Sequence, residues 1–95
     1  MVTEIATITI APGQEAAFEA AMREGGGLAA LRACPGVLTA RFGRGVESPD
    51  TFAFVVEWES MAAHDAARST DSFAAFRAAM GTMTIGGAMA HYALA

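Results

Sequence analysis

The stretch EWESMAAH, residues 57 to 64, sets the chain's one tryptophan at the end of an apolar run and a histidine six positions later. An indole offers a broad apolar face for stacking on a flat ligand, together with one N–H donor. An imidazole, with an ordinary pKa of about 6.5, takes or gives a proton near neutrality. Trp58 and His64 are therefore the leading candidates for a site that holds a flat substrate and moves a proton. The competing reading makes Trp58 a core residue at a strand end and His64 a solvated or capping residue beside Arg68 on a short helix.

His91 and Tyr92 are the next candidates, and being consecutive on a strand they point to opposite faces, so only one can meet a given cavity. Around them Gly86, Gly87, Ala88, Ala90 and Ala93 remove side-chain volume, which either leaves room for a ligand or permits close packing. Arg41, Arg44 and Arg77 could pair with an enolate or carboxylate, with surface solvation as the alternative. The separation of His64 and His91 is not that of a metal-ligand motif, and no neighbouring His or Cys completes one. No flavin motif is present either, so no cofactor is expected. Cys34 is the only cysteine. In RACPG it reads as a small packed residue at a helix end, where the dipole disfavours a thiolate. The methionines, including Met80, Met83 and Met89, read as core filling rather than flexible ligand contact.

Ninety-five residues make one domain, residues 1–95, and 54% hydrophobic composition is more apolar material than one small core takes up. No run approaches the roughly 18 apolar residues of a membrane span, and MVTEIATITI carries an acid where a signal peptide has basic residues, so a cytoplasmic location is expected. Ten acidic residues against six arginines make nucleic acid and anionic membranes poor partners. The complete lack of lysine and asparagine beside abundant alanine and glycine reads as bacterial, GC-rich codon usage.

The elements that must position these residues follow from periodicity. VTEIATITI reads as a strand over about residues 2 to 10, and from Gln14 the period becomes helical through Phe18, Ala21 and Met22. Three glycines at 25 to 27 predict a kink or break, since each costs roughly 1 kcal/mol inside a helix relative to alanine. GVLTARFGRGV and TFAFVVEWES form a hairpin across Ser-Pro-Asp. Ser60 is placed to cap one short helix, and Ser69 or Thr70 to cap the next, whose stripe is Phe73, Phe76 and Met80. A last strand covers TIGGAMAHYALA. The order β-α-β-β-α-β predicts an α+β, ferredoxin-like antiparallel sheet with helices on one face. Because the third strand is apolar on both faces, a second copy is expected to cover the open face and make a two-fold dimer.

FAFVVEWESMAAHDAARSTDSFAAF, with the preceding CPGVLTARFGR and the closing HYALA, resembles the antibiotic biosynthesis monooxygenase family of dimeric α+β barrels. The resemblance implies a homodimer with a pocket between the sheet and helices of each subunit. It also implies one of several activities: cofactor-free oxygenation of phenols or quinols, heme breakdown, isomerisation of small sugar-like signals, or none. In the oxygenating members the strand tryptophan works with an asparagine four residues earlier and an aromatic hydroxyl six residues later. Trp58 matches the first, whereas Phe54 and His64 occupy the other two positions. The heme-degrading members carry an iron-binding histidine where this chain has Arg77, which stays protonated and cannot ligate. The expectation is a cofactor-independent oxygenase-like enzyme acting on a small aromatic, phenolic or quinol-like molecule. His64 or His91 serves as base, and Trp58, Phe54, Tyr92 and Arg77 contact the substrate. The alternative is a non-catalytic dimer that binds a small apolar ligand, or a purely structural one.

Overall fold

Alternation along the third strand fixes the architecture. Phe52, Phe54, Val56 and Trp58 are buried, while the intervening Thr51, Ala53, Val55 and Glu57 are half-buried, so one face of the sheet is covered and the other is open. The computed structural model describes residues 1–95. It runs β1 (Val2–Ile10), α1 (Glu15–Arg23), α2 (Gly27–Arg32), β2 (Val37–Arg44), β3 (Thr51–Trp58), α3 (Met61–Ala67), α4 (Asp71–Met80) and β4 (Thr84–Tyr92). The strands lie in the order β2-β3-β1-β4, every neighbouring pair antiparallel. This is the α+β, ferredoxin-like fold that the element order predicts.

The covered face holds one core. Phe18 and Met22 from α1, Leu31 from α2, Ala67 from α3 and Phe76 from α4 pack on Ile10, Phe52, Phe54, Val56 and Trp58. Phe18 tilts against Phe52 with ring centroids 4.9 Å apart, and Phe76 meets Phe54 edge-on at 5.6 Å. Each such pair contributes about 0.5–1.5 kcal/mol beyond its buried area.

The first helical region breaks where the glycines predict. Helix α1 stops at Arg23, Gly26 takes the left-handed φ of 84°, and α2 starts at Gly27. A residue without a Cβ enters that conformation at little cost. Gly36 is left-handed as well, at φ 88°, and a Cβ on it would lie 2.6 Å from the Ala63 Cβ. Its carbonyl accepts a hydrogen bond from the Glu59 N–H at 2.8 Å, which ties the α2–β2 turn to the start of α3.

The open face is more mixed than β3 alone implies. The pairing register and the alternation put Ile5, Ala53, Val55, Ala88 and Ala90 on it, interleaved with Thr3, Thr7, Thr9, Arg41 and Glu57. Val55, Ile5 and Ala90 thus make an apolar row at its centre, beside which Thr7 lies between Ala53 and Ala88, and Ile5 is 41% exposed. No helix is long and apolar enough to cross a membrane.

Candidate functional site

Ser60 decides where His64 points. It is extended, and its Oγ accepts a hydrogen bond from the Ala63 N–H at 3.0 Å, so the chain leaves β3 and enters α3 without an intervening loop. That turn lays the first part of α3 back over the end of the sheet. His64 faces inward, 2% exposed, and its ring stacks on the Trp58 indole with centroids 4.5 Å apart and planes 18° from parallel. A solvated histidine on the outer helix surface is excluded.

Two further side chains complete the cluster. Glu4 sits on β1 directly opposite Val56 on one side and His91 on the other. It is 7% exposed, and its Oε1 accepts the Trp58 indole N–H at 2.8 Å. His91 brings its Nε2 to 2.8 Å from Nδ1 of His64. His64 Nε2 and His91 Nε2 lie 3.6 and 4.0 Å from Glu4 Oε1. Both histidines of the chain, read from the sequence as rival bases, are therefore partners in one site. Glu4, His64 and His91 also each bring a donor atom within 4.8 Å of the others, a His-His-carboxylate set assembled from β1, α3 and β4. Spacing along the chain does not reveal this set, because the third donor is a carboxylate sixty positions away from His64.

Glu4 is the residue that the sequence reading missed, although its signal is present. In VTEIATITI it is in phase with Ala6, Ile8 and Ile10, so alternation alone places an acid on the inward face.

Beside the cluster, between the sheet and helices α2 and α4, lies a cavity of about 380 Å³. Its wall is mostly apolar, with Phe54, Val56, Leu31, Phe73, Phe76 and Met80 prominent, and its polar groups are Glu4, His64, Arg68 and Arg77. Trp58 also borders it. His91 supports His64 from behind without lining the cavity itself. Of the residues expected to contact a substrate, Trp58, Phe54 and Arg77 line this space. Tyr92 does not, which corrects the expectation: it pairs with Thr3, one residue out of phase with His91, and stands half-exposed on the opposite face. Arg41 and Arg44 lie away from the cavity, Arg44 with its guanidinium over the Phe52 ring.

The electrostatics follow from burial. Loss of solvent pushes the His64 pKa below its ordinary value, and the carboxylate of Glu4 pulls against that shift. His91 and Arg68 reinforce the lowering, and Asp65 opposes it. His64 thus favours the neutral imidazole. Cys34 is buried, which raises its thiol pKa, with the hydrogen bond to Thr70 opposing, so it is the inert packing residue expected.

An apolar cavity that ends in a buried imidazole, with a carboxylate at its side, suits acid–base chemistry on a small flat molecule. The fold and sequence are similar to those of known proteins. A protein from Bordetella bronchiseptica, named as a candidate antibiotic biosynthesis monooxygenase, is 26% identical and superposes with a TM-score of 0.87 over 99% of this chain and 96% of its own. PA3566 from Pseudomonas aeruginosa is 28% identical, with a TM-score of 0.79 over 99% of this chain and 94% of that one. Among curated proteins, none matches. The sequence profile described as antibiotic biosynthesis monooxygenase matches residues 1–79, from the strand that carries Glu4 to the helix that carries Arg77, and the chain belongs to that family.

Proposed function

We propose that the protein is a cofactor-independent monooxygenase of a small phenolic or quinol-like molecule, working as a homodimer. The observation that carries this reading is the inward His64 at the cavity wall, stacked on Trp58 and hydrogen-bonded to His91. With its proton on Nδ1, His64 donates to Nε2 of His91 and keeps the Nε2 lone pair for a ligand. The 3.6 Å gap from that nitrogen to Glu4 Oε1 is too long for a hydrogen bond, so Nε2 is not engaged by the carboxylate.

In the reaction a substrate hydroxyl gives its proton to His64 Nε2, and the imidazolium formed is stabilised by Glu4 beside it. The phenolate, flat against apolar side chains, transfers one electron to dioxygen. The resulting substrate radical and superoxide combine at a ring carbon to give a peroxide. The peroxide loses water, leaving one oxygen atom on carbon as a carbonyl. For an anthrone-type substrate the balance is one ring methylene and one dioxygen in, one ring carbonyl and one water out. Every electron comes from the substrate, and no external reductant is needed. Arg77 and Arg68 favour the anionic form of the ligand.

A homodimer is supported by the apolar centre of the open sheet face, which a second copy would cover about a two-fold axis. A second reading, binding without turnover, rests on Phe54: its ring stands where the resemblance to the oxygenating members calls for an amide, and no asparagine exists in the chain to replace it. Oxygen uptake with a naphthohydroquinone and with an anthrone separates the two. The oxygenase reading expects one dioxygen consumed and one oxygen atom gained per substrate turned over, with kcat falling by about 10²–10⁴-fold in His64→Ala. Ligand binding with uptake no faster than the uncatalysed reaction supports the second reading.

A further inference from the structure

While its histidines are neutral, the Glu4–His64–His91 set holds a carboxylate without a countercharge, and transient protonation of His64 during base catalysis does not supply one at rest. Glu4 is a buried carboxylate with no arginine within ion-pair distance, and its one hydrogen bond comes from the neutral indole of Trp58. Burying a carboxylate without a countercharge is costly, and such groups in proteins are either paired with a cation or coordinate one. The only basic groups within that distance are two imidazoles, and these are also nitrogen donors of the kind that first-row transition metals take.

From this geometry we infer that Glu4, His64 and His91 form a binding site for a divalent transition-metal ion of the zinc type. The placement of donor atoms supports it: one atom from each residue can be taken so that all three lie within 4.8 Å of one another, and His91 Nε2 is 2.8 Å from His64 Nδ1 and 4.0 Å from Glu4 Oε1. Ligands held at about 2.0–2.1 Å around one tetrahedral ion lie roughly 3.3 Å apart, so side-chain rotation has to draw the three donors together as the ion enters. The supports expected around such a set are present too. The Trp58 N–H holds the Glu4 carboxylate, as carboxylate ligands are held in known sites, and the stacked indole fixes the plane of His64. Glu4 and His91 are directly opposed on adjacent strands, so register rather than a flexible loop sets their approach. Since Glu4 and His64 also line the cavity, a fourth position is open to water or a small ligand.

The site is the same place as the proposed base, but the inference stands apart from the oxygenase reading. A bound ion occupies the imidazole lone pairs, so metal binding and proton abstraction by His64 exclude each other. Zinc would then be an inhibitor of the oxidation.

The test uses the full chain without a histidine tag, stripped by chelator and titrated with Zn2+ by calorimetry and with Co2+ by visible absorption, with no substrate added. The expected result is saturable uptake of one ion per chain and a Co2+ spectrum of nitrogen and oxygen ligands in four- or five-fold coordination. Affinity should weaken at least tenfold in both His91→Gln and Glu4→Gln, each shown by circular dichroism to be folded. The Co2+ spectrum of the unsubstituted protein reads the ligand set even where a variant fails to fold. No saturable uptake up to millimolar metal, or uptake that survives either substitution in folded protein, overturns the inference. Neither result touches oxygen uptake by the metal-free protein, so the two readings fail separately.

Discussion

At the scale of single residues, Glu4 and Trp58 hold each other. The indole N–H is the one hydrogen bond to a buried carboxylate, so Trp58→Phe keeps the aromatic bulk while leaving Glu4 without a donor. Removing one partner of a buried polar pair costs about 1–3 kcal/mol. Denaturant unfolding should show a loss in that range for Trp58→Phe. In the Glu4→Ala background the same substitution should cost clearly less, because there is no carboxylate left to strand. Equal losses in both backgrounds would mean that the effect is one of packing alone. Alternation in VTEIATITI does place Glu4 inward, but nothing local says that the indole of a strand fifty-four positions later will meet it. The same holds for His91, whose contact with His64 is created by strand order rather than by spacing.

At the scale of elements, nearly all of the chain's order is legible from period and punctuation. The strand at 2 to 10, the hairpin, the Ser60 and Thr70 caps, the glycine break and the last strand all stand where the sequence places them. These features depend on neighbours within a few residues, and local physics decides them. Tyr92 is the ambiguous case, since a strand with small residues on both sides does not announce which face is inward. Gly36 is legible as a turn residue but not as a contact. Gly13 and Gly36 have nearly the same left-handed φ, 85° and 88°, yet a Cβ at Gly13 meets open space and one at Gly36 meets Ala63 of α3. Gly13→Ala should therefore cost only the conformational strain, about 1 kcal/mol, as read by thermal or denaturant unfolding. Gly36→Ala should cost that plus an overpacking penalty of about 1–3 kcal/mol, and adding Ala63→Gly should recover part of the excess. If the two glycine substitutions prove equal, the turn at Gly36 does not brace α3, and the placement of His64 owes more to Ser60 and to Trp58.

At the scale of the whole molecule, the proposed function gives the two faces of the sheet different work, assembly on one and chemistry on the other. A centre of Ile5, Ala53, Val55, Ala88 and Ala90 left in water calls for cover, and a second copy offers the same surface in return. Sedimentation should find a dimer at micromolar concentration. Val55→Arg should weaken it at least tenfold by setting like charges near the two-fold axis, whereas a folded monomer in the unsubstituted protein removes the dimer from the account. The cavity lies on the other face, between the sheet and the helices of the same chain, so its whole lining comes from one chain. The central claim is that His64 takes a proton from a phenol bound there. Its most direct test is the absorption spectrum of a nitrophenol bound to the metal-free protein, because the phenol and phenolate forms differ in colour. The bound probe should be ionised at a pH where the free probe is largely neutral, and His64→Ala, still folded and still binding, should hold it in the neutral form. A bound probe with the same degree of ionisation in both proteins would contradict that claim.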